Sequence, residues 1–443
     1  MKYFSTTIFI ILSILKLQAQ NLSLNDAVQK ALKSNFDINI ERLNVEDASQ
    51  LNTWGNAGRY PQAQLQIGNS AQFQYTDPAS PFALEGKSSN NTLNAGLNLQ
   101  WVLFNGFNVS FKKEQLNMLE KQASWQLTYQ MEEQIELVIQ AYYIVQYEKQ
   151  KLKVLNRILS LSKDKLENSR LQNKVGSGSS FELARDETTF YTDSTNYIDQ
   201  LLIWENSQRD LNYFMGVENI DIQYDLLDSL NITPKNFNFE QLYSTALKNN
   251  TSLNRQKIVE YIQENTIRQK KNLKAPLLAA DFGYSGNTNW YTADMPQLEG
   301  GFKQETNRGL GFGPNIGVTL SLPIYNGGKN NRQIQSAILQ REKAFTERKK
   351  IEIYLKNEFT KAFLAYHNEI KKVELSKKSL ASADKNLLLS KEQLEQGTIT
   401  TFEFRQVQNS YLNSSLNLFN SQLSLIQSQI TLLRISGSLL DIK

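Results

Sequence analysis

The chain has 443 residues and nearly balanced charge, 48 basic against 44 acidic side chains, with no basic run, which argues against nucleic acid as a partner. Cysteine is absent and histidine occurs once, at His367. This inventory excludes disulfides, thiolate metal sites, a thiol nucleophile and a lipidated N-terminal cysteine. It also leaves little for a histidine-based catalyst, so neither an enzyme nor a cofactor-binding protein is expected.

The N-terminus reads as a secretory signal. Lys2 supplies the positive region, Ile8 to Leu15 the apolar core, and Leu17-Gln18-Ala19 the small-residue cleavage site, so residues 1–19 are expected to be removed. The apolar run is shorter than the ~20 residues a spanning helix needs. The mature protein is therefore expected to be exported, with neither a helix nor a lipid anchoring it in a membrane.

Asn21 to Asn35 has the pattern of a short capped helix, with Ser23 or Asn25 as N-cap and Ala27, Val28, Ala31 and Leu32 as its apolar face. A second helix is expected from Phe36 to about Ala57, ending at Gly58 before Pro61. The same text returns later. Ala31-Leu32-Lys33 matches Ala246-Leu247-Lys248, Asn35 matches Asn250 and Pro61 matches Pro276, at a common spacing (276 less 61) of 215.

From Gln62 to about Tyr75, Ala63, Leu65 and Ile67 alternate with Gln62, Gln64 and Gln66, the two-residue period of a strand. A second strand is expected over 92–104, where Leu93, Ala95, Leu97, Leu99 and Trp101 alternate with Asn94, Gly96, Asn98 and Gln100. The later copies run from Leu277 to Trp290 and over about 312–324, with Gly317 standing 221 residues after Gly96. The growth in spacing falls in the interval that holds the polar, turn-rich loops, Asp77 to Asn91 and Gly286 to Gly311. Each half thus supplies one hairpin. Strands of about ten residues with one apolar and one polar face fit a barrel wall between lipid and water. A half-buried soluble sheet shows the same alternation.

Each second strand passes through a junction into a long helix. The junctions are Leu103-Phe104-Asn105-Gly106 and Leu322-Pro323-Ile324-Tyr325-Asn326-Gly327-Gly328. The first helix, about 106–174, has no proline and no internal glycine and would measure roughly 105 Å at ~1.5 Å per residue; its counterpart spans about 327–396. Val138, Val145, Leu152, Leu159 and Leu166 recur every seventh residue, as do Phe359, Tyr366, Val373, Leu380 and Leu387. A sustained heptad means helices packed side by side as a coiled coil. Both runs stop at a linker, Gly176 to Ser180 or Gly397 to Thr401, and return as a shorter helix, about 179–215 or 400–436. The chain is thus two repeats, 20–235 and 236–443, each a β-hairpin plus an antiparallel helical hairpin. Four strands cannot close, and an open edge cannot face lipid. Eight-stranded barrels are largely filled, so an open duct needs more than two copies; three copies give twelve strands.

At this point the chain resembles the TolC-type outer-membrane efflux proteins, over essentially all of the mature sequence. The resemblance rests on the duplication, the two junctions, and the tips Val175-Gly176…Phe181-Glu182 and Gln396-Gly397…Phe402-Glu403. It implies a homotrimer in the cell outer membrane, a twelve-stranded barrel on an α-helical tunnel through the periplasm, with residues 217–235 and the C-terminal end as a belt. It also implies a passive exit duct for small molecules or proteins, as in tripartite efflux or type I secretion. A periplasmic adaptor and an inner-membrane pump would be its partners. The junction positions would be Asn105, Gly106, Pro323, Asn326 and Gly327, and the adaptor-docking tips Gly176, Phe181, Gly397 and Phe402.

The resemblance places Glu182 and Glu403 at the tunnel entrance, where acidic rings on the second tip can narrow the opening and bind cations. Gln406 stands where a second carboxylate would be, so a cation-blocked gate is expected to be weaker or absent. Ser179/Glu182 and Thr400/Glu403 also fit the S/T-x-x-E capping box, which explains both acids as helix-start devices. The two roles can coexist, because three copies of Glu403 around an axis would raise one another's pKa values. His367 reads as a solvated surface residue. Trp101, Phe104 and Tyr325 suit either an interfacial belt at one barrel rim or ordinary packing, with Tyr75, Trp290 and Tyr291 a weaker match at the other rim. A periplasmic adaptor or a structural coiled-coil envelope protein is the competing reading. Two hairpins and no anchor count against the first, and the two-faced strands against the second.

Overall fold

The structure, a computed structural model, describes residues 20–77, 86–296 and 301–441. The expected export signal over 1–19 and the turn at Pro78 lie outside these residues. In chain order the elements are β1 (Gln20–Leu22), α1 (Leu24–Ser34), α2 (Phe36–Leu51), β2 (Gln62–Thr76), β3 (Gly86–Phe104), α3 (Asn108–Lys174) and α4 (Ser180–Met215). They continue with β4 (Tyr224–Leu226), α5 (Phe239–Asn249), α6 (Thr251–Asn272), β5 (Leu277–Pro296), β6 (Phe302–Ser321), α7 (Lys329–Glu395), α8 (Thr401–Ile435) and a 3₁₀ turn (Leu439–Asp441). Among the described residues no helix is long and apolar enough to cross a membrane. The chain divides into two compact units.

The first unit comprises the chain up to Val45, Ala123–Lys257 and the chain from Glu347. Its core is the heptad seam: Val138, Val145 and Leu166 of α3 and Phe359, Tyr366, Val373 and Leu387 of α7 are buried. Phe359 packs edge-on against Phe239 at 5.2 Å, and truncating such a core aromatic to Ala costs about 3–5 kcal/mol. In the first hairpin the seam is also polar. Asp186, Asp193, Gln200 and Ser207 are buried at seven-residue spacing along α4. The first three are answered from α3, with Ser169 on Asp186, Ser162 on Asp193 and Glu148 on Gln200, which fixes the antiparallel register, while the Ser207 hydroxyl donates to the Trp204 carbonyl of its own helix. A buried polar group is tolerated only when it is so bonded.

β1 and β4 pair in parallel, Gln20 with Tyr224 and Leu22 with Leu226. The buried Tyr142 hydroxyl sits between the Leu22 carbonyl at 2.9 Å and the Asp228 carboxylate at 2.8 Å, fastening the N-terminal strand and the 217–235 segment to α3. Tyr224, Leu226, Leu230 and Leu439 close over the same core.

The duplication is kept in detail. The Asn35 side chain donates to the Phe214 carbonyl at 3.1 Å and accepts from the amide of Asp37; Asn250 donates to the Ile435 carbonyl at 3.1 Å and accepts from the amide of Leu253. Gly216 and Gly437, both left-handed, lie so close behind that a Cβ would stand 2.6 Å from the Ser34 carbonyl oxygen or 2.7 Å from that of Asn249. Each half therefore locks its short capped helix onto the end of its hairpin by one amide and one glycine.

The second unit comprises Glu46–Gln122 and Ile258–Thr346. Its sheet has the order β2-β3-β5-β6, antiparallel throughout, so β2 and β6 each leave one edge open. Three strands are longer than expected: residues 86–91, 291–296 and 302–311, outside the expected strands, are strand as well. Their Ser, Asn and Gly side chains carry no apolar alternation, and cross-strand pairing decides their conformation over weak local preference. At the other end β6 stops at Ser321, short of the expected 324, because Pro323 follows.

Candidate functional site: a two-faced sheet, two junctions and two hairpin tips

The register sorts every strand residue onto one of two faces. One carries Leu65, Ile67, Leu97, Leu99, Phe282, Ile316, Val318 and Leu320, all aligned by the pairings Leu65–Leu97, Leu99–Phe282 and Phe282–Ile316. Phe282, Leu320 and Ile316 are 42%, 69% and 74% exposed, so this is an apolar face without a cover in the single chain. The other face carries Gln62, Gln66, Asn94, Asn98, Asn287 and Asn315, with glycines between them. Trp101 lies on the apolar face opposite Ala280, its indole nitrogen donating to the Arg59 carbonyl at 3.0 Å. A register shift between Val102 and Phe104 sets Phe104 opposite Leu278, back on the apolar face. Tyr75 and Trp290 share that face. Tyr291 does not: it pairs with Asn90 and Asn307 on the polar face, because neighbours in a strand point opposite ways.

The strand does not run into the helix unbroken. Gly106 and Phe107 at the first junction, and Gly327 and Gly328 at the second, all have positive φ between 63° and 77°. Asn105 and Asn326 bracket these turns alike. The Asn105 carbonyl accepts from the Asn108 amide at 3.4 Å and its side chain from the Val109 amide at 3.3 Å; Asn326 accepts from Lys329 at 3.2 Å and Asn330 at 3.5 Å. Both thus satisfy amides of the first helical turn from three residues upstream of the helix start. Gly106 has a second constraint, since a Cβ there would lie 2.4 Å from the Ala275 Cβ. Pro323 precedes Ile324 and Tyr325, which are 92% and 87% exposed.

The tips are also duplicated. Gly176 (φ 78°) and Gly397 (φ 72°) end α3 and α7 in the left-handed conformation, with the Ser177 amide bonded to the Gln172 carbonyl and the Thr398 amide to the Gln393 carbonyl. Both are Schellman caps in open space, so the glycines are there for backbone sign and not for room. Phe181 and Phe402 are 73% and 65% exposed, two aromatics presented to solvent at the same place in each repeat.

The expected pair of capping boxes is found once. Thr400 and Glu403 form the full box: the Glu403 carboxylate accepts from the Thr400 amide at 2.7 Å, and the Thr400 hydroxyl accepts from the Glu403 amide at 3.3 Å. Ser179 caps only the Phe181 amide, at 3.2 Å, and Glu182 reaches instead toward Arg185, 3.8 Å away. The bond from the Thr400 backbone amide, and then that from its hydroxyl, holds the Glu403 carboxyl below the usual carboxylate range. Gln406 is exposed, one turn beyond Glu403 on the same helix face.

The sequence reading missed a polar link close to the tips. Arg405 grips the buried Asp193 with both guanidinium nitrogens, at 2.7 and 2.9 Å, tying α8 to α4. Higher up, Arg157 bonds Asp384 at 3.0 Å and Tyr411 at 2.8 Å, tying α3 to α7 and α8. The available signal was Asp186 and Asp193 standing at heptad positions where apolar residues belong. His367 is half-buried, its ring 4.6 Å from that of Phe363. Among the described residues no three His, Asp or Glu side chains gather as a metal site.

The long helical hairpins and the small two-faced sheet have counterparts in solved outer membrane channels. Residues 242–438 match the model of the outer membrane efflux protein family. The fold of such channels extends over the rest: the chain is similar to the Campylobacter jejuni CmeC outer membrane channel, with 17% identity, coverage of 94% of this chain and 86% of that one, and a TM-score of 0.71. It is likewise similar to the Vibrio cholerae outer membrane protein VceC (13% identity, 94% and 96% covered, TM-score 0.67) and to the open state of the Neisseria gonorrhoeae MtrE outer membrane channel (15%, 94% and 89%, 0.69). No curated protein sequence matches the chain significantly.

Proposed function

We propose that three copies of the chain assemble into a passive exit duct through the outer membrane, supplied from the periplasm by an adaptor and an inner-membrane pump. The observation that carries this is the sheet. It has one exposed apolar face, one amide-rich face and two open edges, and in lipid neither edge could stay unpaired. Three such sheets joined β6 to β2 would close twelve strands with the apolar face toward lipid and the amides toward water. Three pairs of helical hairpins would continue the duct into the periplasm. The exposed Phe181 and Phe402 beside Gly176 and Gly397 would dock the adaptor, and Glu403, Gln406 and Glu182 would edge the entrance.

Reconstitution in planar bilayers tests this. Purified protein should run as a trimer by native mass spectrometry and give long-lived, uniform conductance steps. A folded monomer giving no steps would overturn the proposal and favour a soluble two-faced sheet.

A further inference from the structure

The amide-rich face is almost without charge. Followed along the register from Gln62 to Gln74 in β2, Ser88 to Gln100 in β3, Ala279 to Tyr291 in β5 and Asn307 to Thr319 in β6, it shows Gln, Asn, Ser, Thr, Gly, Ala, one Tyr and a single charged side chain, Asp281. Asp281 stands between Gln100 on β3 and Gly317 on β6. Its carboxylate lies over Gly317, where a Cβ would come within 2.5 Å of one oxygen. The glycine is thus a slot that lets the carboxylate lie flat along the wall. Among the described residues Asp281 makes no ion pair. The next charges on this face, Lys303 and Glu305, sit at the far end of the sheet opposite Met295 and Ala293, and they pair with each other at 3.7 Å. From Asp281 to Ala293 is roughly 40 Å of strand at ~3.4 Å per residue.

Amides present donors and acceptors equally, so a wall made of them solvates either sign of charge alike. A fixed, unpaired carboxylate on such a wall then decides the sign of the local potential. We propose that Asp281 sets the charge preference of the barrel lumen. In the trimeric duct, on which this inference rests, three copies form one anionic ring at the helix-side end of an otherwise neutral passage. That ring admits cationic and neutral solutes over anionic ones. With a Debye length of about 10 Å at 0.1 M salt, the preference should be strong in dilute salt and fade as salt rises.

The test is the reversal potential of single channels in a KCl gradient at low ionic strength, comparing wild type, Asp281→Asn and Asp281→Lys, each in a Glu403→Gln background to silence the tip acid. The wild-type lumen should reverse on the cation-selective side, Asp281→Asn should shift toward zero, and Asp281→Lys should cross to the anion-selective side. Channels of normal conductance whose reversal potential is the same in all three would overturn the role of Asp281 while leaving the duct intact. Absence of channels from folded wild-type protein would overturn both.

Discussion

Arg405 and Asp193, 212 residues apart in the chain, form a two-pronged ion pair at 2.7 and 2.9 Å whose carboxylate is buried and also meets the Ser162 hydroxyl. The pair joins the second helical hairpin to the first just inside the tips. Removing one partner leaves a buried charge without its counterion, which costs more than the pair contributes. Arg405→Met should therefore destabilise the unit by about 2–4 kcal/mol. The double variant Arg405→Met, Asp193→Leu should recover most of that loss. Urea unfolding, with hydrogen exchange read at the ends of α4 and α8, checks both; equal losses in the single and double variants would show that the pair carries no coupling.

Gly106 and Gly327 have the same left-handed backbone but different surroundings. Alanine at Gly327 meets only the conformational penalty of about 1 kcal/mol. Alanine at Gly106 adds a collision with Ala275 and should cost at least ~2 kcal/mol more. Thermal unfolding of the two variants in detergent measures the difference. Similar midpoints would mean that Ala275 yields freely.

The Thr400–Glu403 box makes the second tip sensitive to acid. The Glu403 carboxyl is held below its ordinary value of 4.5, so its contribution is complete above that value and disappears as pH falls through the lowered one. Amide exchange at the start of α8, corrected for its intrinsic pH dependence, should quicken there, while the start of α4, where Glu182 closes no box, changes little. Thr400→Ala should loosen the same turn at neutral pH by about 1 kcal/mol. An equal response at both tips would contradict the asymmetry.

Glu132 of α3 behaves in the opposite sense. Burial raises its carboxyl above the usual range, against the pull of the Thr251 hydroxyl and the Arg434 charge. The folded chain then holds a proton that the unfolded chain has released, so stability falls as pH rises from the ordinary glutamate value through the raised one. Glu132→Gln keeps an acceptor for Thr251 and should raise the unfolding temperature on the alkaline side of that window while flattening its pH dependence. A lower unfolding temperature at pH 8 would refute this account.

Much of this protein was legible without coordinates, because its signals are local and periodic. Leu93 to Trp101 alternate two by two, Val138 to Leu166 and Phe359 to Leu387 recur by seven, and the repeat brings back Asn35 as Asn250 and Gly106 as Gly327. Period, cap and turn chemistry act within a few residues, so the primary structure determined the strands, the long helices, the linkers that end them and the duplication. What it left open were choices made between distant residues. Residues 86–91 are strand because two neighbouring strands offer their backbone bonds, and Tyr291 faces away from Trp290 because the register fixes which side is which. Glu403 closes a capping box while Glu182 turns to Arg185, although both sequences permit the box. Arg405 finds Asp193, and Asp281 finds only the slot at Gly317. Those outcomes depend on which side chains the packed chain brings within a few ångströms, and contacts across some two hundred residues leave no period to read.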